Sequence, residues 1–201
     1  WSANWFWREW SWNNKLINIT DWNKMWITDL SYAFYWAENF NQPLNGFDTS
    51  KITNMKWMFH SAKNFNQPLS NWNTWKVTDM SYMFAYAQKF NQNINNWNTS
   101  NVVSMKDMFT SYSNDGYYSS FNQPLSNWNV SKVKDMSSMF SNLIYFNQNI
   151  NNWNVSNVED MSSMFSWAKS FNQPLNNWNT WKVTNMYSMF KWIWAYWNSS
   201  S

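Results

Sequence analysis

The sequence predicts an α/β fold, a curved right-handed solenoid of about seven 25-residue repeats. Each repeat reads as a short strand, a short helix and an extended turn, and the two ends depart from the pattern as caps. Three observations lead there. Aligning Trp72 with Trp97, Trp128, Trp153 and Trp178 brings the segments between them into register. Within each segment apolar residues fall at i, i+3, i+4 and i+7, one face of an α-helix. All four prolines, Pro43, Pro68, Pro124 and Pro174, share one column beyond that stretch. Proline fixes φ and lacks a backbone donor, so its column marks a turn rather than a strand interior.

The elements follow in order along the repeat. Repeats start at Trp22, Phe47, Trp72, Trp97, Trp128, Trp153 and Trp178, with five steps of 25 residues and one of 31. Five residues on is always Ile or Val, from Ile27 to Val183. A strand near Lys76-Val77-Thr78 pairs in parallel with its copies, ~4.8 Å apart. Next stand Asp29, Asn54, Asp79, Ser104, Asp135, Asp160 and Asn185, all preferred helix N-caps. Leu30 and then Met55, Met80, Met105, Met136, Met161 and Met186 open the helix, which in the third repeat buries Met80, Met83, Phe84 and Ala87. A helix of about two turns is marginal alone, so stacking must hold it. A second Phe column (Phe40, Phe65, Phe90, Phe121, Phe146, Phe171) precedes an Asn column, Asn41 to Asn172, suited to a ladder of stacked amides. Helices need ~8–10 Å between axes and strands about half that, which curves the stack with strands inside. Right-handed crossovers complete the reading.

Three regions result: an N-terminal aromatic cap at 1–21, the solenoid at 22–190, and a C-terminal cap and tail at 191–201. The cap carries Trp1, Trp5, Phe6, Trp7, Trp10 and Trp12 and reads as a short helix over the first coil. The sharper alternative is an interfacial membrane anchor, since Trp favours lipid headgroups. Only Arg8 and Lys15 supply positive charge there. Trp192, Trp194 and Trp197 are expected to close the core at the other end. Beginning at Trp1, the chain reads as a mature form or a fragment.

Composition sets the outer limits. The chain is 44% hydrophobic and 22% aromatic, enough for a core. The mean hydropathy of -0.68 reflects the recurrent Asn. No run of ~18 apolar residues suggests a membrane span. The net charge of +3 is scattered, without the basic stripe that nucleic-acid binding needs. The absence of Cys excludes disulfides and thiolate metal sites.

The run Phe-Asn-Gln-Pro-Leu-x-x-Trp-Asn-x-Ser-x-Val-x-x-Met-x-x-Met-Phe resembles the 25-residue repeat of BspA-type leucine-rich-repeat surface proteins. The form most similar to it is found in mollicute surface lipoproteins, some large DNA viruses and algae. The resemblance covers residues 21 to about 190. It implies a leucine-rich-repeat-like solenoid displayed on a cell or particle surface, acting in adhesion or protein interaction and carrying no enzyme activity. The chain departs from the family pattern in its surplus Trp, at Trp26, Trp75 and Trp181.

Chemistry finds little to work with. His60 is the only histidine and has no acid at i±3 or i±4, so it reads as a surface residue and not as a catalytic base. The Asp column is capping chemistry, because Asn54, Asn185 and Ser104 occupy it equally. Two glycines exclude a phosphate loop. No catalytic residue, metal site or cofactor is expected. The six extra residues within 111–120 include Asn114-Asp115-Gly116, a turn signal for a protruding loop.

What breaks the period carries the functional expectation. The second and sixth residues after the core Met lie off the buried helix face. There stand Tyr32, Trp36, Trp57, Tyr82 and Tyr86, side by side in neighbouring repeats. With Trp75 and Trp181 they form the candidate binding set. An exposed aromatic patch marks an interface; the alternative is packing between coils or against the N-terminal cap. The expected function is a non-enzymatic, surface-displayed scaffold, extracellular or on a virus particle, that binds a protein partner or self-associates. A carbohydrate-binding module using Trp and Tyr is the alternative. Membrane contact is expected only through the N-terminal aromatic segment.

Overall fold

A computed structural model describes residues 27–112 and 118–193. The expected cap at 1–21, the tip of the inserted loop at 113–117 and the tail from 194 lie outside the described residues.

Successive repeats stack as coils in register. The residue before each core Met pairs in parallel with its copy, from Asp29↔Asn54 through Asp160↔Asn185. These are single bridges. Among the described residues there is no helix and no strand longer than one bridge. The strand–helix repeat, and with it the curved right-handed α/β solenoid of leucine-rich-repeat type, is therefore overturned.

The hydrogen bonds give the physical reason. In a helix the Phe84 N–H would bond to the Met80 carbonyl four residues back. Instead Met83 N–H takes that carbonyl at 3.2 Å, closing a turn, and Phe84 N–H donates to Met108 of the next coil at 2.8 Å. Alternate amides divide this way throughout. From each core Met, the Met N–H and those two, four and six residues on donate to the next coil. In the third coil these are Met80 to Ser104, Tyr82 to Lys106, Phe84 to Met108 and Tyr86 to Thr110. The amides between them close i→i+3 turns, such as Ala85 to Tyr82 and Ala87 to Phe84.

This alternation forces an unusual backbone. The second and sixth residues after the core Met have positive φ in every coil except at Ser111, beside the inserted loop: Tyr82 and Tyr86 at 60°, Trp57 at 62°, Ser163 at 55°, Trp167 at 61°. Positive φ at the third residue of a turn is the mark of type II. It rotates the preceding peptide so that its N–H and C=O lie along the stack. Non-glycine residues resist this region, and the inter-coil bonds hold them there. Residue type is immaterial: Tyr, Trp, Asp, Ser and Asn all adopt it.

The capping column keeps its chemistry without a helix to cap. Asp79 Oδ1 accepts the Ser81 N–H at 2.8 Å, Asp160 that of Ser162 at 2.7 Å and Asn54 that of Lys56 at 3.0 Å. These are Asx turns. The Asn ladder is present. Asn91 N–H donates to Asn66 Oδ1, Asn122 to Asn91 and Asn147 to Asn122, each at 3.0 Å.

The core is three columns of rings. Phe59, Phe84 and Phe109 stack through successive coils, as do Phe65, Phe90 and Phe121. The two columns meet within a coil, with Phe84 and Phe90 centroids 3.9 Å apart. Trp72, Trp97, Trp128 and Trp153 form the third, nearly parallel column. Each indole from Trp97 to Trp178 donates to a carbonyl one coil back, such as Trp128 Nε1 to Ile94 at 3.0 Å. Phe47 interrupts the column. Its ring tilts 35° from Trp72, and the buried Trp72 Nε1 has no partner. Trp192, expected to close the core, instead lies exposed with its ring on Trp167.

Candidate interaction face

The left-handed residues, Ser61 excepted, point out of the coil, because their neighbours on both sides turn inward. Met80, Ser81, Met83, Phe84 and Ala85 are buried, whereas Tyr82 between them is only partly covered. Stacking the coils then builds two outward columns. In the first three coils both are rich in aromatic residues.

The column two residues after the core Met holds Tyr32, Trp57 and Tyr82 as a continuous stack. Tyr32 and Trp57 lie 5.9 Å apart at 5°, Trp57 and Tyr82 3.9 Å apart at 8°. Asp107 ends it, accepting a hydrogen bond from the Tyr82 hydroxyl. Burial pushes the Asp107 carboxyl above its usual range. Burial, followed by the Asp107 charge, pushes the Tyr82 phenol up to about 12. Tyr86 is raised for the same two reasons. The second column contributes Trp36 and Tyr86, with Ser61 between. Tyr32 is 42% and Trp36 56% exposed; Trp57, Tyr82 and Tyr86 are half-buried.

His60 is central to this face and not the surface residue expected. It is only 6% exposed. Its ring lies 4.6 Å from Trp57, 5.0 Å from Tyr35, 5.0 Å edge-on from Tyr86 and 6.4 Å from Trp36. Its Nδ1 is 3.0 Å from Ser61 Oγ. Burial among these rings lowers its pKa to about 4, so the ring is neutral at physiological pH. Neither His60 nor Tyr35 was in the candidate set. Both stand in one repeat column, so aligning the repeats already places them side by side.

Trp75 and Trp181 stand apart. They share a column, but Ser100, Ser131 and Ser156 fill it between them, a separation of roughly 19 Å for four steps of ~4.8 Å. Each is exposed, with the following Lys over its ring, Lys76 at 5.0 Å and Lys182 at 5.4 Å. The structure brings five of the seven candidates together and leaves these two as isolated pairs.

Among the described residues no three His, Cys, Asp or Glu converge on a metal position. No helix there is long and apolar enough to cross a membrane.

A family model described as "Mycoplasma protein of unknown function, DUF285" matches residues 3–117 and 115–199, nearly the whole chain in two passes. No curated protein and no solved structure matches.

Proposed function

We propose, for a chain that belongs to the DUF285 family of mycoplasma proteins, a non-enzymatic repeat scaffold that binds a protein partner through the aromatic face of its first three coils. The carrying observation is the cluster of Tyr32, Tyr35, Trp36, Trp57, Tyr82 and Tyr86 around a buried neutral His60. The equivalent outward positions of the later coils hold mostly Asp, Ser and Asn. Aromatic rings anchored on a rigid frame are the residues that dominate protein interfaces. Their backbone is held by the inter-coil ladder, so little conformational freedom is lost on binding. The resemblance of the repeat to that of BspA-type surface proteins favours display on a cell surface, in adhesion or in a surface assembly.

The rings' own stacking favours protein over carbohydrate. Sugar recognition needs an open indole face, and in the Tyr32–Trp57–Tyr82 column the faces lie against one another. Their edges and hydroxyls, with the exposed Trp36, are what a partner meets.

The test replaces Tyr32 and Trp36 with Ser, the two most exposed members. Binding of the purified chain to a panel of immobilised extracellular-matrix proteins is read by interferometry, beside a glycan array. Hot-spot loss of about 2 kcal/mol weakens binding roughly 30-fold, with the circular dichroism spectrum unchanged. Glycan binding without protein binding would overturn the reading. So would protein binding that the double variant leaves intact.

A further inference from the structure

We infer that a second face, beside the column of parallel bridges, binds a linear acidic glycan carrying one carboxylate on every second sugar. The face rests on a row of ammonium groups. The residue four after each repeat start is Lys76, Asn101, Lys132, Asn157 and Lys182 in the third to seventh coils. Along the chain these lysines are scattered, and stacking sets them in one line. The asparagines between them hold two of them in place. Asn101 Nδ2 donates to the Trp75 carbonyl at 2.7 Å, and its Oδ1 accepts the Lys132 Nζ, also at 2.7 Å. Asn157 repeats the device, donating to the Ser131 carbonyl at 2.7 Å and accepting from Lys182 at 2.6 Å. A lysine side chain gives up rotamer freedom when it binds; here part of it is already gone. Among the described residues none of Lys76, Lys132 and Lys182 is paired with a carboxylate. Their neighbours Lys51 and Lys134 lie beside acids, Asp48 and Glu159. The unbalanced charge of this face is therefore the row itself.

The spacing selects the occupant. Alternate coils lie roughly 10 Å apart at ~4.8 Å per coil. Equatorially linked sugar rings advance by about one coil each, so an acid on alternate rings meets an ammonium on alternate coils. A nucleic acid fits poorly. Each strand of a duplex carries one phosphate per ~3.4 Å, so most of its charges would find no partner in the row. Trp75 and Trp181, the two candidates that the aromatic face leaves out, stand at the ends of the row with Lys76 and Lys182 over their rings. They are 45% and 73% exposed and offer apolar surface on which a sugar ring packs. Trp75 belongs to an interior coil, so this outward position is a property of the column and not of the end of the stack. The small Ser100, Ser131 and Ser156 keep the stretch between them low. Matched charges give such a chain its attraction and its register. The row shares no residue with the aromatic face, so the two readings stand or fall separately.

The probe is a fluorescein-labelled hyaluronan decasaccharide, in which acidic and neutral sugars alternate, titrated with the full chain. The expected result is saturable binding that weakens as salt is raised. Lys76→Gln with Lys132→Gln and Lys182→Gln should weaken it at least tenfold. Lys89→Gln with Lys169→Gln and Lys191→Gln removes the same charge from other columns and leaves it unaltered. Asn101→Ala with Asn157→Ala keeps every charge and should still weaken it, because the ammoniums lose their support. A second arm leaves the protein untouched: an uncharged chitin decasaccharide should not bind, and single-stranded DNA with the same number of charges should bind more weakly. No saturable binding of hyaluronan up to about 1 mM, a limit worth about 4 kcal/mol, overturns the proposal. Equal binding by the two lysine variants, by chitin or by DNA also overturns it.

Discussion

Replacing Ser163 separates the turn architecture from the helix that the apolar spacing predicts. Ser163 sits at φ 55°, half-buried, and its N–H donates to the Tyr187 carbonyl at 2.8 Å. That bond is backbone to backbone, so Gly or Val leaves it in place. The left-handed region costs an L-residue about 1–2 kcal/mol, a strain that Gly does not feel. Gly also loosens the unfolded chain, which costs about 0.4–1 kcal/mol. The difference leaves Ser163→Gly stabilising by about 0.5–1 kcal/mol. Ser163→Val places a β-branched side chain at positive φ and destabilises by about 1–2 kcal/mol. A helix demands the opposite order. There Gly would destabilise by about 0.5 kcal/mol relative to Ser, and Val would be nearly neutral. Urea midpoints at constant m read the sign directly. In thermal unfolding each kcal/mol moves Tm by about 2–4 °C for a chain of this size. A lowered midpoint for Gly with an unchanged one for Val would refute the alternating-turn account.

Two further predictions rest on individual groups. His60 has its pKa lowered to about 4 from 6.5 by burial. Between those values the unfolded chain binds a proton that the folded chain does not, so stability is full above pH 6.5 and falls as pH drops towards 4. The groups facing it, Tyr35, Trp36, Trp57, Tyr86 and Ser61, carry no charge to offset this. The loss is at most about 3 kcal/mol at 1.36 kcal/mol per unit, lessened by residual water. His60→Phe should flatten that slope in urea titrations taken at several pH values. Asn91 Oδ1 accepts both the Asn122 N–H at 3.0 Å and Gln123 Nε2 at 3.1 Å. Asn91→Ala should destabilise by about 1–2 kcal/mol and Asn91→Asp by less, as scanning calorimetry at neutral pH would show.

The columns were legible because stacking demands like on like. A buried Phe above a buried Phe, an amide above an amide and a Trp above a Trp leave a 25-residue period that survives any local conformation. The helix misled because its spacing is shared. Met80, Met83, Phe84 and Ala87 are all buried, but through successive turns whose remaining amides leave the coil. No residue type announced the left-handed positions. The chain has two glycines, Gly46 and Gly116, and in the sequence neither falls two or six residues after a core Met. The bonds to neighbouring coils impose that conformation, so nothing local in the sequence records it. His60 was misjudged for a related reason. Its burying partners Tyr35 and Tyr86 lie about one repeat away in sequence and touch it only once the coils are stacked.

The same device explains where function can vary. At the second residue after the core Met, the ladder fixes the backbone and directs the side chain outward. Tyr82, Asp107, Ser138 and Ser163 share one conformation, with φ between 51° and 60°, and differ in everything else. The core columns have no such freedom. Phe84 touches rings in its own coil and in both neighbours, so truncating it leaves a cavity that costs about 3–5 kcal/mol. Selection can therefore write a binding surface into the outward columns without rewriting the stack. The first three coils carry such a surface: aromatic rings closed at one end by the Tyr82–Asp107 hydrogen bond, beyond which the outward positions turn mostly polar. That boundary falls inside an uninterrupted ladder. It reflects a choice of side chains at positions where folding makes none.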